Sequence, residues 1–191
     1  MNKILLILIL TLSFQTLVKA DDIRDFELEG ISVGGSLLNL VSKSEIIKNK
    51  DFKHPNKKYF SYLYSDKKDS KYDYFQFSIM DRDKSYKIED VSAGIYFKNN
   101  IKDCLKKMDE VITDVSYSFP NLNKSKKNER KHRGDPSGKS TITEVYFHFK
   151  TGDVIAIQCI DFSKELNYID QLSIEMASAK YYDWLANEAF K

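Results

Sequence analysis

Two short segments carry residue types and spacings that could support chemistry. The first, residues 134–140, reads GDPSGKS and resembles the phosphate-binding loop of nucleotide-binding proteins. It has three residues between its glycines instead of four, and a strand-like segment follows it where a phosphate-binding loop requires a helix. We therefore interpret residues 134–140 as a glycine-proline turn that leads into the next strand.

The second candidate is a pair of titratable residues, Glu144 and His148, which face outward from the same predicted strand. An acid–base pair is conceivable, but four residues along a strand span about 13 Å, which is too far for direct contact. The other histidines, His54 and His132, lie in polar loops, and the sequence contains no spacing typical of a metal site. We predict no catalytic residue, no cofactor and no metal from these patterns.

A basic loop at residues 121–139 precedes the strand that carries Glu144. Its cations could bind an anionic envelope component, such as lipopolysaccharide phosphates, or an acidic protein face. Because no aromatic side chains are interleaved to stack on a ligand, a solvated loop is the favoured interpretation. The candidate anion-binding residues are Lys126, Lys127, Arg130, Lys131 and Arg133.

Tyrosines recur in the strand-like segments. Their area and polar tips could line a groove for a peptide or glycan. They are equally suited to a half-solvated sheet face, and the sequence leaves both interpretations open. They are Tyr59, Tyr62, Tyr64, Tyr72, Tyr74, Tyr86, Tyr96 and Tyr146.

The apolar pattern predicts the elements that position these residues. Alternation predicts strands at 59–64, 72–80, 88–97, 141–149, 154–160 and 172–176, and three-four spacing predicts helices at 101–115 and 180–190. A short strand at 23–28 and a glycine-rich turn precede a helix that Ser36 caps. The glycines of that turn could form an anion nest, but a tight turn is favoured. This order predicts one α+β domain over residues 21–191, a mostly antiparallel sheet with helices packed on one face.

The two cysteines, Cys104 and Cys159, are predicted to form a disulfide. Cys104 lies on the apolar stripe of the 101–115 helix, and Cys159 shares a strand face with Ile155 and Ile157, so both point into the same core. The bond would close a loop of about 55 residues and contribute about 4 kcal/mol. Two reduced, buried cysteines are the alternative, and predicted export favours the bond.

The first 20 residues predict an export signal. A short basic start precedes an apolar run at residues 4–14, and Ala20 is a small residue that a signal peptidase accepts. The apolar run is shorter than the roughly 20 residues of a membrane-spanning helix, so we predict cleavage and no transmembrane segment afterwards. The predicted location is periplasmic or secreted.

Charge excludes one class of partner. Both excess positive charges of the chain lie in the leader, on Lys3 and Lys19, which leaves 28 basic and 28 acidic residues in the mature chain. A neutral chain gives no reason to expect nucleic acid as a partner. An aromatic content of 13% is typical of a packed globule.

A family resemblance covers the mature chain. Residues 22–34 read DIRDFELEGISVG and precede Ser36-Leu37-Leu38, and KST at 139–141, IQC at 157–159 and DWL at 183–185 follow later. These segments resemble a group of uncharacterised small exported proteins from AT-rich marine alphaproteobacteria. The resemblance implies export and assigns neither an activity nor catalytic residues.

The favoured functional hypothesis is a periplasmic, non-enzymatic interaction or accessory module. Its expected partner is an envelope protein or an anionic envelope component. One alternative is an envelope-acting hydrolase, which would place Glu144 or His148 in a concave site. The other alternative is a small-ligand binder with a tyrosine-lined cleft.

Overall fold

The computed structural model describes residues 22–65, 68–98 and 100–191, so the predicted signal peptide and its cleavage point lie outside the described residues. The described ranges form an eight-stranded antiparallel sheet and three α-helices. The strands are β1 (Tyr59–Tyr64), β2 (Tyr74–Met80), β3 (Ile88–Tyr96), β4 (Asn123–Lys124), β5 (Asn128–Lys131), β6 (Thr141–His148), β7 (Val154–Asp161) and β8 (Gln171–Ala177). The helices are α1 (Lys43–Asn49), α2 (Ile101–Ser118) and α3 (Ala179–Asn187). Within these ranges, no helix is long and apolar enough to cross a membrane.

The strands lie in the order β1-β2-β3-β8-β7-β6, and both β4 and β5 pair with β6. Strands β1 to β3 form an antiparallel meander. Strands β6 and β7 form a hairpin, whose turn places Gly152 at φ +92°. Strand β8 lies between β3 and β7 and pairs antiparallel with both, so it joins the two halves into one sheet.

One face of the sheet is apolar and is covered by α2. Alternate residues of β2, β3, β7 and β8 are buried on this face, as the sequence pattern predicts. Helix α2 packs on β7 and β8 and buries Cys104, Met108 and Val115. Asn100 caps the helix, and its side chain accepts a hydrogen bond from the backbone N–H of Asp103.

A disulfide joins Cys104 of α2 to Cys159 of β7, which confirms the predicted bond. The Cα atoms of the two residues are 6.0 Å apart, and both side chains are buried. The bond closes a loop over a sequence separation of 55 residues. It therefore ties the main helix to a central strand through the core.

The opposite face of the sheet is polar, and α3 lies across it. The α+β class and the antiparallel sheet are confirmed, but the prediction placed every helix on one face. The difference has a physical cause. At one end of the polar face, Tyr59 and Ala177 form an apolar patch on which Tyr181 and Trp184 of α3 pack. Further along, Tyr181 Oη lies 3.0 Å from Ser78 Oγ in a hydrogen bond.

Polar contacts fix the start of α3. Ser178 caps the helix by accepting a hydrogen bond from Tyr181 N, and its hydroxyl donates to Glu89 Oε2 at 2.7 Å. Asp153, in the β6–β7 turn, accepts from Ala179 N at 2.7 Å. These contacts attach the start of α3 both to Glu89 of β3 and to the β6–β7 turn.

The N-terminal segment differs from its prediction. The expected strand at residues 23–28 is instead a 3-10 turn, Ile23–Asp25, followed by an isolated bridge between Leu28 and Ile31. The expected helix after Ser36 is split into a second 3-10 turn, Leu37–Asn39, and the short α1. This segment packs on the core through single apolar side chains, and the backbone of residues 34–37 forms hydrogen bonds with residues 86–88 at the start of β3.

The basic loop contains two short strands that no sequence pattern predicted. Strands β4 and β5 pair one after the other with the outer edge of β6. The GDPSGKS segment that follows is the predicted turn. Asp135 holds it by accepting from the backbone N–H groups of Ser137 and Ser140, each at 2.8 Å.

We expect loss of the disulfide to destabilise the protein. Replacing Cys104 and Cys159 together by alanine should lower the free energy of unfolding by about 2–5 kcal/mol, because the unfolded chain regains loop entropy. Urea unfolding with and without dithiothreitol measures the effect. The double variant should not respond to the reductant. An unchanged midpoint for the reduced wild type would contradict the prediction.

Candidate functional site

A groove runs between α3 and the polar face of the sheet, and we call it the α3 groove. Its outer part has a volume of about 430 Å³ and its inner part about 240 Å³. The two parts are adjacent and share four lining residues. These residues are Arg130, Tyr146, Tyr182 and Leu185.

Strand register explains the floor of the α3 groove. Tyr146 of β6 is paired with Ala156 of β7, and Ala156 is paired with Glu175 of β8. Alternation turns all three side chains to the polar face. Because Ala156 carries only a methyl group, it leaves a depression between the larger side chains of Tyr146 and Glu175. The inner part of the groove lies in this depression.

One wall of the groove is a hydrogen-bonded network around the buried Glu144. Arg130 Nε lies 3.0 Å from each carboxylate oxygen of Glu144, and the Tyr146 hydroxyl donates to Oε2 at 2.9 Å. Gln158 Nε2 donates to the same oxygen at 3.3 Å. Burial, and then the charge of Glu144, raise the pKa of Tyr146 to about 12, so Tyr146 stays a donor at neutral pH. The carboxylate of Glu144 is therefore fully paired with side chains that line the groove.

The mouth of the groove combines a cation with aromatic side chains. Arg133 lines the outer part together with Phe190, whose side chain is exposed. His132 also lines it, and partial burial, followed by the charge of Arg130, lowers the pKa of His132. His132 is therefore largely neutral at pH 7. Arg133 forms no ion pair with any described residue, so it supplies positive charge at the mouth.

The floor of the inner part holds a carboxyl pair, Asp90 and Glu175. Asp90 is paired in register with Ala177, two residues from Glu175, so the two acids are diagonal neighbours on the polar face. Asp90 is buried, whereas Glu175 is partly exposed and lines the groove. Burial, and then the charge of Glu175, raise the pKa of Asp90 well above its ordinary value, and burial also raises the pKa of Glu175. Two adjacent carboxylates repel each other, so the pair holds a proton to higher pH than an isolated carboxyl group does.

The hydrogen bonds assign that proton to Asp90. Ser78 Oγ donates to Asp90 Oδ2 at 2.9 Å, and a hydrogen bond between the Asp90 and Glu175 side chains adds to the rise in the pKa of Asp90 and opposes the rise in the pKa of Glu175. This pattern favours a proton on Asp90 that is donated to the Glu175 carboxylate. Glu175 keeps the negative charge and presents it to the groove.

The two residues predicted as an acid–base pair are in different surroundings. Glu144 lies behind the wall of the α3 groove, paired with Arg130, which lines it. His148 stacks on Tyr146 at a centroid distance of 6.1 Å and lines a separate cavity of about 600 Å³ beside Asn121 and Leu122. Glu144 and His148 therefore do not share a concave site.

The five candidate anion-binding residues make different contacts. Lys127 pairs with Asp109 of α2 at 2.5 Å, and Arg130 pairs with Glu144. Lys126 and Lys131 are exposed. Anion binding by this segment stays a prediction, and Arg133 lies at the mouth of the groove.

Sequence reasoning missed Asp90 and Glu175 as site residues. Alternation along their strands does place both on the outward face, where polar side chains are expected to meet water. Helix α3 crosses this face, so Asp90 is buried and Glu175 is partly covered. Of the strand tyrosines, Tyr146 lines the α3 groove, whereas Tyr59 and Tyr62 are buried in the two hydrophobic clusters.

Comparisons of the chain with models of protein families, with curated proteins and with solved structures give no match. Function must therefore be inferred from the residues of the α3 groove.

We expect Asp90→Asn to change how stability depends on pH. Because the folded-state pKa of Asp90 is raised, the wild type loses stability as the pH rises above about 4, the ordinary aspartate value. Asparagine keeps a donor and an acceptor but does not titrate. Relative to wild type, Asp90→Asn should gain stability with rising pH, by at most about 1.4 kcal/mol per pH unit.

Urea unfolding between about pH 4 and pH 7 measures this difference. Asp114→Asn, on the exposed side of α2, is the matched control and should follow the wild type. Parallel stability curves for Asp90→Asn and the wild type would contradict a proton held on Asp90.

Proposed function

We propose that this chain is an exported, non-catalytic accessory protein of the cell envelope that binds a small amphipathic ligand in the α3 groove. The observation that carries the proposal is the groove itself, with parts of about 430 and 240 Å³. Its size, its aromatic and aliphatic walls and its few polar groups are typical of small-molecule sites.

The distribution of side chains supports an amphipathic ligand. Tyr182 and Leu185 of α3 form one apolar wall, and Tyr146 and Ala156 form the opposite surface on the sheet. An apolar ligand body would remove these surfaces from water, which is favourable at about 25 cal/mol per Å². At the mouth, Arg133 would attract an anionic group on the ligand.

The state of Glu144 supports binding over hydrolysis. A general base needs a lone pair directed at the substrate. Arg130, Tyr146 and Gln158 all bond to the carboxylate of Glu144, and His148 lies in another cavity. The small-ligand hypothesis, one of the alternatives in the sequence, thus gains support from the groove.

Export is part of the proposal. The basic and apolar pattern of residues 1–20 supports a cleaved signal. The Cys104–Cys159 bond also supports it, because disulfides persist mainly in oxidising compartments. Mass spectrometry of native protein should find Asp21 as the first residue, and an intact Met1 would contradict export.

We expect the α3 groove to bind 8-anilinonaphthalene-1-sulfonate, an aromatic sulfonate, at one site per chain. Ala186 is exposed on α3 and lines the outer part, so Ala186→Trp should fill the mouth and weaken binding at least tenfold. Asn187→Trp, at the next exposed position, is the matched control and should leave binding unchanged. Fluorescence titration measures both.

The sulfonate tests the charge at the mouth. Arg133→Gln should weaken its binding several-fold, because a cation beside the anion is lost, whereas Lys126→Gln should not. N-phenyl-1-naphthylamine, which has the same rings without the sulfonate, should bind wild type and Arg133→Gln equally. Equal binding of the sulfonate to Ala186→Trp and Asn187→Trp would refute the groove as the ligand site.

A further inference from the structure

We propose that the inner part of the α3 groove binds a primary ammonium group, with Glu175 as its counter-ion. This inference rests on the proposed function and names the chemistry of the inner end of the ligand. A ligand that fills the whole groove would then carry a positive group at Glu175 and a negative group near Arg133. The two ends of the groove therefore select opposite charges.

The first argument is the charge at the inner end. Glu175 lines the inner part, and Asp90 lies behind it, 2% exposed. No described cation contributes to the electrostatics of either carboxyl. A carboxylate removed from water without a counter-ion is strongly unfavourable. A ligand cation that entered the inner part would provide the counter-ion that Glu175 lacks among the described residues.

The second argument is that Arg130, the nearby cation, already forms an ion pair with Glu144. Arg130 lines both parts of the groove, but its Nε lies 3.0 Å from both oxygens of Glu144. The charge of Arg130 therefore balances Glu144. The charge of Glu175 is left for a ligand.

The third argument is the set of acceptors and the shape of the walls. An ammonium group has three donors. Glu175 supplies carboxylate oxygens, and Gln158 supplies its amide oxygen, because its Nε2 is directed to Glu144 and Tyr146. Val154, Ala177 and Leu185 give the inner part an aliphatic lining that suits an alkyl stem.

A divalent metal fits the same place poorly. A calcium ion takes six to eight oxygen ligands, and magnesium takes six. The pair offers one charged carboxylate, because Asp90 keeps its proton. Among the described residues no group of three or more histidine, cysteine, aspartate and glutamate side chains could hold a metal ion.

The test compares n-hexylammonium with hexan-1-ol, which has the same stem without the charge, by isothermal titration calorimetry on the exported protein. We expect hexylammonium to bind wild type at least tenfold more tightly than hexanol. Glu175→Gln keeps the shape of the side chain and should reduce this preference to within twofold. Glu110→Gln, on the exposed side of α2, is the matched control and should keep the full preference.

Ala186→Trp provides a second variant that does not alter the acid pair, and it should weaken hexylammonium binding if the cation enters through the mouth. Loss of the preference in Glu175→Gln with a normal unfolding midpoint supports the proposal. Equal binding of hexylammonium and hexanol to wild type overturns it, and so does a preference that persists in Glu175→Gln. In either case, binding of the aromatic sulfonate that Ala186→Trp blocks would leave the proposed function intact. If the sulfonate also fails to bind in the groove, both proposals fail.

Discussion

The position of α3 across the polar face is the constraint on which the α3 groove depends. Helices usually dock on an apolar sheet face, because burial of apolar surface drives the contact. Here the apolar contact is confined to one end, where Trp184 packs on Tyr59 with ring centroids 4.7 Å apart. Ser178 and Asp153 tie the start of the helix by hydrogen bonds. The helix therefore crosses the polar side chains without filling the space beneath it.

The two faces of the sheet differ in the side chains that they bury. The α2 face has the larger hydrophobic cluster and the disulfide, so it provides most of the burial that holds the sheet together. The α3 face instead buries Glu144 and Asp90, and each buried acid needs a partner or a proton. Groups that cost folding energy in this way are often retained for function. The polar face thus contains both the buried acids and the α3 groove.

Much of the fold follows from local periodicity. Strand β1 has the predicted bounds, and the disulfide follows from two patterns that place Cys104 and Cys159 on facing surfaces. Strands β4 and β5 were not predictable, because polar residues pair there through the backbone alone. Periodicity also identifies the packing side of α3 but not the sheet face that it covers. For that reason the sequence located Glu144 as outward-facing and gave no sign that Asp90 and Glu175 are enclosed.

The disulfide also determines how the chain matures. The sequence contains two cysteines, and both are in the bond, so a single chain has only one way to pair them. Oxidation therefore requires an electron acceptor but no isomerase to correct wrong pairings. Cys159 follows Cys104 by 55 residues, so the bond can form only after β7 has been synthesised. By then β1 to β3 and α2 have already been synthesised. The bond therefore links the second half of the sheet to a helix that precedes it in the chain.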